Sequence, residues 1–303
     1  MGKAKDEKAS TLSAASHWGW LSQFITADQR FAEWASGHRI SWAFYEFIRF
    51  GIKQAWACMF GGLMLALLLA THLWYPKDAL LARYDFLVLA ALAVQVGMLA
   101  WRLETLEEAR VILAFHLVGT AMEVFKTSMG SWIYPEPSIL RIGGVPLFSG
   151  FMYAAVGSYI ARAWRLFDFQ FERYPPVWTT WLLAVAIYGN FFLHHYWFDL
   201  RWLIFTAFLM LYGRTTIWFR VHRHWRYMPV PIATLLVALF IWFGENIGTW
   251  SRAWIYPSQA VGWSPVPIAK LSAWYLLMII SVVLVTFVQK PKTFDRHQII
   301  RGP

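Results

Sequence analysis

The feature that most constrains the fold of this 303-residue chain is a series of long apolar blocks with few charged residues. Each block has about 20 residues, the length that crosses the hydrocarbon core of a bilayer as an α-helix. Only 15% of the residues are charged, whereas a soluble domain has about 25%. The sequence therefore predicts an all-α fold, a polytopic transmembrane helical bundle.

We predict about eight membrane spans in one transmembrane domain, residues 51–290. Residues 1–50 are expected to form a cytoplasmic or interfacial arm, and residues 291–303 a cytoplasmic tail. The predicted spans are 53–74, 84–103, 109–127, 145–165, 178–198, 200–219, 229–248 and 266–288.

The net charge of +10 also fits this topology. With the N-terminus in the cytoplasm, most Lys and Arg residues fall in segments on the cytoplasmic side, as the positive-inside rule requires. We therefore expect a multi-pass protein of the bacterial cytoplasmic membrane with both termini cytoplasmic, membrane lipid as its surroundings and no nucleic-acid partner. The polar first 16 residues lack the apolar stretch of a signal peptide, so we expect no cleavage.

One thirteen-residue segment occurs twice, as E-V-F-K-T-S-M-G-S-W-I-Y-P at residues 123–135 and as E-N-I-G-T-W-S-R-A-W-I-Y-P at residues 245–257. Six positions are identical, and a Val-Pro pair follows each copy. Four predicted spans separate the copies, so both have the same orientation. This pattern predicts a parallel internal repeat with halves at about 51–170 and 171–290. Ligand sites commonly lie between such halves.

The repeat places Glu123 and Glu245 near equivalent ends of two predicted spans. An ionisable residue in a span is costly, which makes both glutamates candidate catalytic residues. Thr127 and Thr249 follow at i+4, where a hydroxyl can hydrogen-bond the carboxylate. The alternative is that the glutamates hold the following loops through backbone N–H groups, with Lys126 as a plain i+3 ion-pair partner of Glu123.

The aromatic residues of the repeat offer ring N–H and hydroxyl groups on apolar bodies. The alternative interpretation is an aromatic belt followed by a turn. Candidate substrate-binding residues are Thr127, Thr249, Trp132, Tyr134, Trp254 and Tyr256.

His116 lies two turns before Glu123 on the same predicted helix face. It is a candidate for proton relay, although a lone buried histidine is more often simply hydrogen-bonded. The second copy has Ala238 at the equivalent position, so the two halves are not chemically equal.

A second polar cluster contains His194, His195 and Asp199 at the end of the fifth predicted span. Spacing of i, i+4 would let Asp199 orient the His195 imidazole as a general base or a metal ligand. The alternative is a polar cap at a tight turn. We assign no metal site, and the sequence identifies no cofactor.

Several segments together resemble a known group of proteins. They include F-G-I-K-Q-A-W-A-C (50–58), H-L-V-G-T-A-M-E-V-F-K (116–126), G-S-W-I-Y-P-E (130–136) and N-F-F-L-H-H-Y-W-F-D-L-R-W (190–202). They are similar to the bacterial integral-membrane family named domain of unknown function 817, over residues 45–290 or so. The resemblance implies a membrane protein and carries no activity.

A shorter pattern is similar to membrane carotenoid hydratases and integral lycopene cyclases. It consists of Glu, Thr four residues later, aromatic-x-Tyr, and Val-Pro-Leu opening the next span. Those enzymes protonate isoprenoid double bonds with membrane-embedded acids. The cyclases carry acidic residues after Pro-Leu, where this chain has Phe148 and Ser149. The resemblance therefore implies acid–base chemistry on an apolar substrate, but not cyclisation.

These observations lead to one principal hypothesis, an enzyme that acts on an isoprenoid or lipid substrate by acid–base chemistry. Glu123 would be the principal acid and Glu245 its partner, while His116, His194 and Asp199 would tune or relay protons. The alternatives are a transporter or small-ligand binding protein with a gated pocket between the repeats, and a structural subunit of a membrane complex.

Overall fold

The computed structural model of the chain describes residues 19–295. The predicted polar N-terminus at residues 1–16 and the end of the predicted tail at residues 296–303 lie outside the described residues. The chain divides into two compact units, with the boundary between Ile52 and Lys53.

The first unit contains helix α1 (Gly19–Ala35) and most of helix α2 (Arg39–Ala57). The Phe31 ring stacks on Trp34 at 5.7 Å and meets Tyr45 edge-on at 5.4 Å. Aromatic residues on one face and charges on the other are typical of an interfacial helix. A membrane-surface location for this arm stays a prediction.

Eight further helices make up most of the second unit. One contiguous apolar core joins them, from Phe60 near the start of the first to Val285 at the end of the last. The helices are α3 (Met59–Trp74), α4 (Arg83–Ala100), α5 (Leu106–Ser128), α6 (Phe148–Leu166), α7 (Val177–Leu193), α8 (Arg201–Tyr212), α9 (Val230–Trp250) and α10 (Lys270–Val285).

The prediction of eight spans is supported only in part. Among the described helices, α4, α5 and α9 are long and apolar enough to cross a membrane, and the pair α2 and α3, interrupted at Cys58, is a fourth candidate. Helices α7, α8 and α10 are apolar but shorter than 18 residues. At 1.5 Å per residue, a 12-residue helix such as α8 is about 18 Å long. The chain is therefore a mostly helical protein with three to four candidate spans.

The prediction of an all-α fold is also only partly correct, because short strands join several helices. Between α5 and α6, β1 (Arg141–Ile142) and β2 (Val145–Pro146) form a hairpin. Its turn residues Gly143 and Gly144 have φ of +57° and +83°, as a two-residue hairpin turn requires. A Cβ on Gly143 would come within 2.8 Å of Val124, so glycine also lets the hairpin pack against α5.

A four-stranded sheet joins other connections, in the order β5-β4-β3-β6. Its strands are β3 (Gln170–Glu172), β4 (Thr216–Arg220), β5 (Trp225–Pro229) and β6 (Lys292–Thr293). The predicted span 200–219 is therefore wrong in its second half, because α8 ends at Tyr212 and the chain enters β4. A hydropathy average merges these residues with the helix, although β-branched and aromatic side chains favour a strand.

The start of α4 and the connections that follow α5, α7 and α9 contact one another, and we call this region the glutamate end. We call the region of the four-stranded sheet formed by β3 to β6 the sheet end. At the glutamate end, Arg83 donates to the Glu136 carboxylate at 2.6 Å and to the Ser251 carbonyl at 3.0 Å. Asp85 accepts the backbone N–H groups of residues 139 and 140 at 2.9 and 2.7 Å. The first turn of α4 thus fixes both Trp-Ile-Tyr-Pro segments.

Candidate functional site

The Glu123 carboxyl group is buried and bound by three ring donors. Its Oε2 accepts the Trp132 indole N–H at 2.6 Å and the Tyr134 hydroxyl at 2.5 Å. Its Oε1 accepts the hydroxyl of Tyr153, which α6 supplies, at 2.8 Å. The glutamate therefore does hold the following loop, but through side chains rather than through the backbone N–H groups that we considered from the sequence.

Glu245 has the same kind of site in the second copy. Its Oε1 accepts the Trp254 indole N–H at 2.8 Å and the Tyr256 hydroxyl at 2.7 Å. In both copies the Trp follows the glutamate by nine residues and the Tyr follows it by eleven. The six-position identity of the two segments thus corresponds to a repeated hydrogen-bond arrangement.

The two glutamate sites are adjacent. Ile133 and Ile255 exchange a reciprocal pair of backbone hydrogen bonds, each 2.9 Å long. The Trp132 ring meets the Tyr256 ring edge-on at 6.3 Å. Burial, followed by the charge of the neighbouring glutamate, raises the pKa of the Tyr134 and Tyr256 hydroxyls well above the ordinary value. Both tyrosines therefore remain proton donors.

The two sites differ in their third neighbour. Tyr153 follows the first Val-Pro pair by eight residues, and Trp274 stands at the same place after the second pair. The rings of Tyr153 and Trp274 lie 6.5 Å apart. Tryptophan at this place offers Glu245 no hydroxyl. Glu245 has Lys270 as a charged neighbour instead. The Lys270 Nζ lies 4.7 Å from the centre of the Tyr256 ring.

The predicted threonine bonds to the glutamates are absent among the described residues. Thr127 Oγ1 is buried without a hydrogen-bond partner there. Thr249 donates to the Asn246 carbonyl and accepts the Trp263 indole N–H, both at 3.2 Å. The ring donors fill the carboxylate positions instead, because the Trp-Ile-Tyr segment folds back over its own helix.

His116 does not reach either glutamate. Its ring packs on Phe151 at 4.5 Å. A Cβ on Gly150 would come within 2.5 Å of both the His116 Nδ1 and the Thr120 Oγ1. The His116 ring therefore packs in the close contact between α5 and α6. A proton relay from His116 to Glu123 stays a prediction.

Lys126 is not the ion-pair partner of Glu123. Its buried Nζ lies 2.8 Å from the His195 Nε2 and 3.4 Å from the His194 Nε2. The same Nζ is 4.2 Å from the centre of the Phe191 ring. Lys126 therefore points towards the end of α7, where the rings of His194 and His195 lie 4.2 Å apart.

His195 and Asp199 do not form the predicted pair, because α7 ends at Leu193 and the i, i+4 rule does not extend beyond it. Asp199 instead accepts from the Asn190 amide at 3.1 Å and from the backbone N–H of Arg201 at 2.9 Å. The Arg201 guanidinium lies 3.3 Å from the other carboxylate oxygen.

The pKa values in this cluster shift downwards. Partial burial alone would raise the pKa of Asp199, but the bonds from Asn190 and from the Arg201 backbone, with the Arg201 charge, lower it overall. Burial, followed by the charges of Lys126 and His194, lowers the pKa of His195. A neutral His195 accepts the hydrogen bond from Lys126. No three His, Cys, Asp or Glu side chains within residues 19–295 are arranged to hold a metal ion.

Sequence reasoning missed Tyr153 and a buried ion pair near the sheet end. Comparing the copies beyond the Val-Pro pairs would have pointed to Tyr153, because an aromatic residue occupies the same position in both. Arg162 Nη2 lies 3.0 Å from Glu104 Oε1, and both side chains are fully buried. These two residues are 58 positions apart and belong to no shared pattern, so no sequence signal connects them.

Comparison with known proteins identifies the group to which this fold and site belong. No solved structure matches the chain. The uncharacterized protein YoaT of Bacillus subtilis (strain 168) is 40% identical over 250 residues, which cover 82% of this chain and 94% of that protein. A family described as protein of unknown function (DUF817) matches residues 46–282. The chain therefore belongs to the DUF817 family.

Proposed function

We propose that the protein is a membrane-embedded enzyme that exchanges protons with an isoprenoid or other long apolar lipid substrate, with Glu123 as the principal acid. The observation that carries this proposal is a buried carboxyl group connected to an apolar crevice through one hydroxyl. Tyr153 donates to Glu123 and also lines the crevice. The short pattern shared with carotenoid hydratases supports the same reaction class, as an analogy.

The crevice is shallow, with a volume of about 10 Å³, so a substrate would lie against its lining rather than inside it. It lies between α5, α6 and α10 and is apolar apart from two hydroxyls. Its lining residues are Phe115, Val118, Gly119, Met122, Tyr153, Val156, Leu277, Ile280, Ser281 and Leu284. A protonated Glu123 would pass its proton through the Tyr153 hydroxyl to a double bond that lies against the crevice. The resulting carbocation would lose a proton from a neighbouring carbon back through Tyr153 to the Glu123 carboxylate, so the double bond moves and the acid is restored. General acid catalysis by a positioned side chain requires this hydrogen-bond contact.

We further propose that the two halves, about 51–170 and 171–290, are related by a pseudo-two-fold axis along the membrane normal. Three observations support it: the matched donors on Glu123 and Glu245, the reciprocal Ile133–Ile255 bonds, and the contact between Tyr153 and Trp274. Under this proposal all eight helices α3 to α10 are inserted in the membrane. The sheet end and both termini then face the cytoplasm, as the positive-inside rule requires. Glu245 then serves as the partner of Glu123.

The test is expression of the chain in a carotenoid-producing host, followed by lipid extraction and chromatography. We expect a new or missing pigment with the native chain, loss of that change in Glu123→Gln, and no loss in Glu107→Gln. Glu107 is the matched control because it lies in the same helix and is exposed. An unchanged pigment profile in cells that contain the folded protein, or full activity of Glu123→Gln, would refute the proposal.

A second candidate is a proton-coupled transporter, and the contact of Lys126 with His195 favours it, because intramembrane titratable groups line such pathways. Uptake of an apolar substrate without its chemical conversion would support transport. A third candidate, a structural subunit, predicts that the protein does not remain a stable monomer in mild detergent.

A further inference from the structure

The exposed positive charges of the second unit lie almost entirely at one end of the helical bundle. Within residues 53–295, twelve Lys and Arg side chains are exposed, and ten of them are at the sheet end, in segments 102–110, 165–173, 214–226 and 290–292. The segment before α5 belongs to this end because Glu108 pairs with Arg165, in the last turn of α6, at 2.9 Å. The glutamate end, with the connection that leads into it, exposes Lys77 and Arg252. Each end exposes two carboxylates, so only the sheet end has a strongly positive surface.

Most of the sheet-end cations are not neutralised by neighbouring carboxylates. Asp168 is shared between Arg220, at 3.5 Å, and Lys292, at 3.9 Å. Six others form no ion pair within residues 19–295, and these are Arg102, Arg110, Arg173, Arg214, Arg223 and Lys290. An excess of exposed and unpaired positive charge on one surface attracts an anionic partner.

The sheet places some of these cations side by side. Strands β3 and β4 pair in antiparallel fashion, and just beyond the pairing the Thr215 hydroxyl donates to the Arg173 carbonyl at 3.0 Å. Arg173 and Arg214 therefore lie at the same end of two neighbouring strands. Arg220 lies opposite Trp225 of β5, and its guanidinium carbon is 5.3 Å from the centre of that ring. The strand register thus holds basic side chains at both ends of β4.

An exposed aromatic ring accompanies the cations in each of the sheet-end segments. Four rings that are at least 66% exposed lie within five residues of an unpaired cation, and the pairs are Trp101 with Arg102, Trp178 with Arg173, Tyr227 with Arg223, and Phe287 with Lys290. Trp and Tyr are enriched where the apolar chains of a bilayer meet its head groups. Cations beside such rings therefore lie at the depth of the lipid phosphates.

The glutamate end has exposed rings too, but it lacks the excess of cations. Its rings include Trp74, Trp197 and Trp202, each more than 70% exposed. Exposed aromatic side chains at both ends are the pattern of a helical bundle that contacts both faces of a bilayer. Since the two ends differ chiefly in charge, they suit lipids with different head groups.

From this arrangement we propose that the sheet end is a docking surface for anionic phospholipids, whose phosphate groups contact its exposed Lys and Arg side chains. A basic segment at a membrane surface binds anionic lipid in this way. A soluble acidic partner would need the cations, but not exposed rings beside them at the ends of apolar helices. The inference requires that the helices are inserted in a bilayer, and it is independent of any reaction at Glu123.

The test measures lipid binding to the full-length protein in mild detergent by native mass spectrometry. The probes are phosphatidylglycerol, phosphatidylcholine with the same acyl chains, and glycerol phosphate, which has an anionic group without the chains. One Lys or Arg near an anionic lipid surface strengthens binding about fivefold, so two contacts should give phosphatidylglycerol a preference of roughly 25-fold over phosphatidylcholine. The preference should shrink as the salt concentration rises.

The double variant Arg173→Gln with Arg214→Gln removes two neighbouring sheet-end cations and should weaken phosphatidylglycerol binding roughly 25-fold. Lys77→Gln with Arg252→Gln is the matched control, because it removes the same charge from the other end and should leave the lipid preference unchanged. The backbone is matched as well, since Arg173 and Arg252 have φ of +56° and +54°. All four side chains are exposed, so both double variants should fold.

A second sheet-end pair, Arg223→Gln with Lys290→Gln, should weaken phosphatidylglycerol binding by a similar factor. Equal binding of phosphatidylcholine, or equal losses in the sheet-end and control variants, would overturn the inference. Glycerol phosphate that binds as tightly as phosphatidylglycerol would overturn the lipid assignment, and tighter binding of a polyglutamate peptide would replace it with an acidic protein partner. Glu123→Gln should keep the lipid preference, so the docking surface and the proposed enzyme can fail separately.

Discussion

The buried pair of Glu104 and Arg162 gives the sharpest prediction about stability. The two side chains are fully buried, 3.0 Å apart, and Glu104 also accepts from the Ser158 hydroxyl at 3.1 Å and from the Gln95 amide. After Glu104→Met, the Trp56 carbonyl, at 3.2 Å, is the one hydrogen-bond partner that the Arg162 guanidinium keeps within residues 19–295. An uncompensated buried charge of this kind costs about 3–5 kcal/mol.

Replacing both members by apolar residues should cost far less than replacing one. We expect Glu104→Met to lower the free energy of unfolding by about 3–5 kcal/mol, and the double variant with Arg162→Met to recover most of that loss. Reversible unfolding in mixed detergent micelles measures all corners of this cycle. The Asp168–Arg220 pair is the control, because it is half-exposed at 3.5 Å and Asp168→Asn should cost at most about 1 kcal/mol.

Two results would refute the reasoning. One is a loss below about 1 kcal/mol for Glu104→Met, which would mean that water or another group compensates Arg162. The other is a double variant as unstable as the sum of the single variants, which would mean that the two side chains act independently.

Two further predictions concern packing and pH. Gly150→Ala places a Cβ 2.5 Å from two side-chain atoms of α5 and should lower the thermal unfolding temperature, whereas Gly62→Ala, with nothing within 4 Å, should not. The lowered pKa of His195 means that the folded protein favours the neutral imidazole. The free energy of unfolding is therefore highest above about pH 6.5, and it falls at lower pH because His195 binds a proton more readily in the unfolded chain. His195→Asn should reduce the pH dependence of unfolding between pH 8 and pH 5, and an unchanged pH profile would contradict this role.

The sequence predicts the helices better than their ends. A hydropathy average locates apolar stretches, and a helix is present at each of the eight predicted positions. It does not detect where the backbone leaves the helix, at Cys58 and after Tyr212, because the apolar residues continue beyond those points. Because several of the helices are shorter than 18 residues, only three to four of them are candidate membrane spans.

The glutamates and the Trp and Tyr residues after them could be identified from the sequence as one repeated group, because they lie within eleven residues and occur twice, but the hydrogen bonds between them were not predicted. Partners from distant segments could not. Tyr153 reaches Glu123 across 30 residues, and Lys126 reaches His195 across 69. Such contacts depend on how helices pack, and a single sequence without repeats around them carries no record of that packing.

The position of Arg83 has a consequence for the order in which the protein assembles. Its guanidinium binds Glu136, 53 residues later, and the Ser251 carbonyl, 168 residues later. During synthesis α4 emerges long before α9, so the Arg83 bonds to Thr71 and Leu68 of α3 can form first, whereas the bond to Ser251 must wait for the end of α9. Closure of the glutamate end is therefore a late step in biogenesis, and a chain truncated before Ser251 would leave its first half open.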